Sequence, residues 1–186
     1  MIPLMGTVRT FLAFSLFLTL TALVGLALSS GWRKALRYAW MPLLLVIFLV
    51  LGTRAALKQS EGQIYEGESA YNYVQVLEVD GYRMLRLNEG QGIHSIYHPT
   101  IFSYSGPWEQ FLAAPFFNAS PYQPEQVQRI GIVGLAAGTT ARQATLVYGA
   151  IPIDGWEIDP LILEVGRKYF DMNLPNLQAY AQDGRW

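Results

Sequence analysis

Arg129-Ile130-Gly131-Ile132-Val133-Gly134-Leu135 is a short apolar run, and Ala136-Ala137-Gly138-Thr139-Thr140 follows it without a break. A run of that length that ends in small residues reads as a strand, a tight turn and the start of a helix. The pattern then repeats. Residues 138–148 predict a helix, 151–158 a second strand, 160–170 a second helix and 177–182 a third strand. Pro160 suits a first helical turn, with Asp159 before it as cap. A β-α-β-α-β order predicts a parallel sheet joined by right-handed crossovers.

Open parallel sheets bind ligands at the carboxyl ends of their strands. Three sequence features fall there. Gly134, Ala136 and Gly138 make a loop of small residues after the first strand, where the backbone can approach a ligand closely. Glu157 comes near the end of the second strand, and a carboxylate in that place can accept both ribose hydroxyls. Asp183 and Gly184 follow the third strand, placed to meet an adenine edge. Singly, each is also what close helix packing or a solvated cap would give; in order, they point to a nucleoside. The spacing alone does not separate a nicotinamide dinucleotide from an S-adenosyl compound, but the loop lacks Gly-x-Gly-x-x-Gly.

Upstream the period is two. Tyr71, Tyr73, Gln75, Leu77 and Val79 share one alternation, and Val74 and Val76 take the other. Asp80-Gly81 predicts a two-residue hairpin turn, with 82–87 returning and 93–97 as a further strand. Residues 106–117 predict a short helix with Pro107 in its first turn, and 118–124 a polar, proline-rich linker.

The first sixty residues differ in kind. They hold six bases (Arg9, Arg33, Lys34, Arg37, Arg54, Lys58) and no acid, whereas residues 61–186 carry a net charge of −7 inside a chain total of −1. Residues 10–32 are uncharged, 23 residues or about 34 Å of helix, enough for a hydrocarbon core of about 30 Å. Residues 38–53 are also uncharged but reach only about 24 Å, and would need flanking bases to snorkel. Trp32, Tyr38 and Trp40 sit where interfacial aromatics belong. The expectation is a transmembrane helical hairpin with a basic turn over 29–37. A signal peptide is the competing reading, with Ala27 and Ser29 at cleavage spacing, but the apolar run is long for one. The lipid bilayer is thus an expected partner. An acidic remainder speaks against nucleic acid. With no cysteine and two histidines, disulfides, a thiolate nucleophile and a histidine-rich metal centre are excluded or disfavoured.

Between Glu68 and Arg185 the chain resembles the spermidine synthase family of aminopropyltransferases, and within it a membrane-anchored branch. Glu68-Ser69-Ala70-Tyr71-Asn72 resembles the family's Glu-Ser-x-Tyr-Gln strand. Leu85-Arg86-Leu87-Asn88-Glu89-Gly90-Gln91 is similar to its Leu-x-Leu-Asp-Gly hairpin, and Tyr97-His98 to its Tyr-His-Glu element. The run from Ile132 to Gln143 resembles the nucleoside loop, Glu157-Ile158-Asp159 the Glu-x-Asp signature, and Asp183-Gly184-Arg185 the Asp-Gly after strand three.

The fold this implies is α/β: the helical hairpin over 1–60, a small β-hairpin layer over 61–105, a helix and linker over 106–128, and a partial Rossmann-like, class I methyltransferase-type sheet over 129–186. The implied chemistry is transfer of an aminopropyl group from decarboxylated S-adenosylmethionine to an amine, in polyamine biosynthesis, with no metal and no further cofactor. By position Glu157 would hold the ribose, Asp183 and Gly184 the adenine, and Asn72 would replace a nucleoside-contacting Gln. Tyr71, Tyr97 and His98 would stand on the polyamine side. A cytosolic donor would put this part of the chain on the cytoplasmic face; the oligomeric state stays open.

Two departures temper the carry-over. Ala137 stands where the family has an amine-binding Asp. The family's catalytic Asp follows a fourth strand and would lie beyond Trp186, so no catalytic residue is expected in 1–186, and the chain is expected to be a fragment, inactive alone. A methyltransferase that uses S-adenosylmethionine, or a non-catalytic membrane module with a nucleoside-binding fold, are the alternatives.

Overall fold

The computed structural model describes residues 6–52, 60–88, 90 and 92–185. The expected interfacial roles of Arg54 and Lys58, and the Glu89 and Gln91 part of the hairpin motif, lie outside the described residues. The chain divides into two compact units, residues 1–58 and 59–186.

In the first unit α1 spans Thr7–Ser30, α2 Trp32–Leu36 and α3 Trp40–Leu51. Gly31 breaks the chain between α1 and α2 at φ +89°, a backbone state open to glycine at little cost. Helix α1 contacts both α2 and α3. At 24 residues α1 is long and apolar enough to cross a membrane, and its most apolar window is not buried. Helix α3 has 12 residues, shorter than the 38–53 expectation, and reaches about 18 Å.

The second unit carries two sheets. The first is antiparallel, in the order β1 (Gln63–Glu68), β2 (Tyr73–Val79), β3 (Tyr82–Leu87) and β4 (Ile93–Tyr97). Asp80 and Gly81 both take positive φ, +52° and +81°, the state a two-residue turn of this hand requires. Both faces of β2 are covered at mid-strand. Val74 and Val76 enter a core with Leu85, while Leu77 and Gln75 are buried on the other face. Gln75 is satisfied there, its amide donating to the Ser60 hydroxyl at 3.1 Å and to Gln63 Oε1 at 2.6 Å.

Two expectations need correction. Residues 69–72 are a turn between β1 and β2, so Tyr71 is not part of a strand. The Ser69 hydroxyl accepts from the backbone N–H groups of Tyr71 and Asn72 at 3.0 and 2.9 Å, a local bond that competes with the sheet ladder. The helix expected over 106–117 is broken. Helix α4 covers only Pro107–Phe111 and a 3-10 turn covers Ala114–Phe117, because Pro115 lacks an N–H and restricts the residue before it.

The second sheet is parallel, in the order β5 (Ile130–Val133), β6 (Ile153–Glu157) and β7 (Leu177–Ala181). Helix α5 (Thr139–Tyr148) links β5 to β6, and α6 (Pro160–Tyr169) links β6 to β7. Ile130, Ile132, Ile153, Leu177 and Ala179 pack against Ala141 and Ala144 of α5 and Leu163 of α6. The core of Val74, Val76 and Leu85 continues into Ala137, Ile162, Val165 and Phe170, which ties the two sheets of this unit together.

Candidate nucleoside site

The parallel register aligns the carboxyl ends of β5, β6 and β7, with Val133 beside Trp156 and Glu157 beside Ala181. Gly134 and Gly138 take φ of +79° and +88°, and Ala136 takes +51°. A Cβ on Gly134 would meet nothing within 4 Å, so the loop is open at that point; one on Gly138 would lie 2.6 Å from Met172. Gly184 lies so close to β5 that a Cβ there would come within 2.6 Å of the Val133 side chain. Gly134, Ala136, Gly138, Glu157, Asp183 and Gly184 therefore share one edge of the sheet.

Glu157 is buried. Its Oε2 accepts from the Ala136 N–H at 2.9 Å and its Oε1 from the Asp159 N–H at 3.2 Å. Each oxygen keeps a further lone pair, so the carboxylate remains able to accept hydroxyl donors. Asp183 is bound by its own turn: the Arg185 guanidinium pairs with it at 2.5 Å and the Arg185 N–H donates to it at 3.1 Å. Arg185 holds the Asp183 carboxyl below the usual carboxylate range.

Asn72 is committed elsewhere. Its amide donates to Asp159 Oδ2 at 2.9 Å and its carbonyl accepts from Asn88 Nδ2 at 2.9 Å. It sits at the edge of the site as part of a polar network. Asp159 is fully buried and also accepts from the Ser69 hydroxyl at 2.6 Å and the Leu161 N–H at 3.0 Å. The sequence placed Asp159 as a helix cap and as the last residue of the Glu-x-Asp resemblance, without these bonds to the β1–β2 turn.

Tyr71, Tyr97 and His98 are not brought together. Arg83 pairs with Tyr97 and Val74 with Leu87, which puts Tyr97 at the Asp80-Gly81 end of the antiparallel sheet and Tyr71 at the other. Four residues of β3 separate those ends, about 13 Å. Tyr71 is exposed. The Tyr97 ring is covered by the Arg142 guanidinium 4.4 Å away, which also lies 4.6 Å from the Phe102 ring. His98 closes a turn, its Nδ1 accepting from the N–H groups of Thr100 and Ile101 at 3.2 and 3.1 Å. Ala137 is buried in the core, so the position where an amine-binding acid was sought faces packed side chains. Its N–H donates to the Ser95 hydroxyl at 2.9 Å.

Glu109 was missed. It accepts from the N–H groups of Tyr104 and Gly106 and from the Gln143 amide. Burial pushes its pKa up, but these donors more than offset that and it titrates low. Its place three residues after Gly106, in the first turn of α4, was the available signal. Among the described residues no group of three or more His, Asp and Glu side chains is placed to hold a metal. A cavity of about 720 Å³ lies along the outer edge of β5 between Phe111, Tyr122 and Tyr148; it reaches Gly134 of the loop, and Glu157 is not in its lining.

No family model matches the chain. A probable polyamine aminopropyl transferase from Bifidobacterium longum is 33% identical over 121 residues, 65% of this chain and 26% of that protein. The chain therefore spans about a quarter of the length of this curated relative. Two solved structures share the fold. A probable spermidine synthase from Corynebacterium glutamicum has a TM-score of 0.51 at 18% identity, over 69% of this chain and 46% of its own. Spermidine synthase from Thermotoga maritima has 0.50 at 20%, over 66% and 40%. The chain is thus similar in sequence to a polyamine aminopropyl transferase and shares its fold with two spermidine synthases.

Proposed function

We propose that this chain forms the nucleoside-binding part of a membrane-anchored aminopropyltransferase, which takes decarboxylated S-adenosylmethionine as donor and an amine as acceptor. The observation that carries the reading is the meeting of the Gly134–Gly138 loop, buried Glu157 and the Asp183-Gly184 turn at one end of three parallel strands. Glu157 accepts the ribose hydroxyls with the lone pairs left over from Ala136 and Asp159. Asp183 and Gly184 meet the adenine edge, which requires Arg185 to swing off the carboxylate. The sulfonium of the donor is already a good leaving group, so the protein's task is alignment of an uncharged amine and removal of its proton. No metal enters that scheme. The net charge of −7 over 61–186 favours cationic substrates approaching from solution.

The apolar helix α1 supports membrane anchorage, and a cytosolic donor would put the second unit on the cytoplasmic side. Ala137 favours one further reading, a nucleoside-binding relative that transfers a different group, because a buried methyl offers an amine no contact. Calorimetry on the full chain in mild detergent separates these. Binding of methylthioadenosine, lost in Glu157→Ala, supports the proposal. A preference for intact S-adenosylmethionine over the decarboxylated form favours methyl transfer, and absence of any nucleoside binding overturns both.

A further inference from the structure

Asp159 has no exposed surface, yet it forms no ion pair among the described residues. A buried carboxylate without a counter-charge must be held by hydrogen bonds. Three donors supply them: the Ser69 hydroxyl at 2.6 Å and the Asn72 amide at 2.9 Å, both on Oδ2, and the Leu161 N–H at 3.0 Å on Oδ1. The positive end of the ten-residue helix α6 adds to them.

What distinguishes this residue from a simple cap is its other side. The Asp159 N–H donates to Glu157 Oε1, and Glu157 Oε2 accepts from Ala136 in the glycine-rich loop. One unbroken series thus runs from the β1–β2 turn through Ser69 and Asn72 to Asp159, then Glu157, then Ala136. Asn88 braces it by donating to Asn72 and accepting from the Tyr73 N–H at 3.0 Å.

We infer that Asp159 is a positioning residue, which uses the turn at 69–72 to set the orientation of the Glu157 carboxylate and through it the loop backbone at Ala136. The site's shape is therefore determined in part by a turn of the other sheet. The inference rests on the nucleoside reading of Glu157 for its functional meaning, but the coupling itself does not.

Asp159→Asn isolates the effect, because asparagine caps a helix about as well as aspartate. Its single carbonyl oxygen cannot serve both Leu161 and the Ser69–Asn72 pair. The reciprocal exchange Asn72→Asp with Asp159→Asn restores a donor–acceptor pair of reversed sense and leaves Asn88 its acceptor. Two readouts on the full chain in detergent decide the matter: hydrogen exchange of the Ala136 amide and calorimetric affinity for methylthioadenosine. The expected result is at least a ten-fold loss of amide protection and of affinity in Asp159→Asn, in line with one charge-assisted bond, and recovery to within about three-fold in the exchange. Unchanged protection in the single variant overturns the inference, and so does a loss that the exchange fails to recover. If Asp159→Asn does not fold, Ser69→Ala removes one donor and is read the same way. Should the parent protein fail to bind methylthioadenosine, the proposed function falls, while the Ala136 protection still decides the positioning role.

Discussion

Gly138 shows how much a single atom decides at the site. It combines a φ of +88° with a path for Cβ that ends 2.6 Å from Met172. Gly138→Ala is expected to lower stability by about 1–2 kcal/mol from backbone strain alone, with a further loss as Met172 is displaced. The denaturation midpoint should fall with an unchanged slope. Charge acts at the same scale. The Arg129 guanidinium, 2.6 Å from Asp154, holds that carboxyl below its ordinary range. Asp183 and Glu109 also titrate low. A carboxyl depressed in the folded state adds stability above its unfolded pKa, near 4, and that stability disappears as pH falls through the folded value. The second unit should therefore lose stability below about pH 4. Replacing Asp154 with Asn should make the fall shallower, read as the urea midpoint against pH.

At the scale of the element, β2 carries the antiparallel sheet, and its partner Leu85 is fully buried between Val74 and Val76. Leu85→Ala is expected to cost about 2–5 kcal/mol. Tyr71→Ala, in the exposed turn, should stay within about 0.5 kcal/mol, which equilibrium unfolding can resolve. Local chemistry decided which elements could be read beforehand. Asp80-Gly81 announced its turn because few other pairs accept positive φ twice. The turn at 69–72 was hidden, since a serine hydroxyl that caps it is indistinguishable in sequence from one in a strand. Glu157 and the glycine loop were legible because strand order alone fixes them at the sheet's carboxyl edge. Tyr97 and His98 were misplaced with respect to Tyr71 because the end they occupy depends on the pairing of Arg83 with Tyr97, a choice made across strands. Asp159 was half read: the cap is local, whereas its bonds to Ser69 and Asn72 come from the far sheet.

For the molecule as a whole, the proposed membrane anchorage is open to a direct test. Helix α1 buries none of its most apolar window, and Phe11, Phe17, Leu18 and Leu28 are exposed. The full chain is expected to stay with membranes through an alkaline carbonate wash and to need detergent for release; recovery in the aqueous wash would refute membrane anchorage. The distance along the chain between interacting groups has a further effect. Ser69 and Asp159 bond across 90 residues, while β2 and β3 pair across a two-residue turn. Closing so long a loop costs entropy before any contact compensates. The hairpins and the β-α-β crossovers can form early from near neighbours, but the Ser69–Asp159 bond forms only when the sheets dock. Ser69→Ala should accordingly speed unfolding and leave the refolding rate nearly unchanged. The edge proposed to bind the nucleoside is then expected to be among the last parts of the second unit to be made and among the first to come apart.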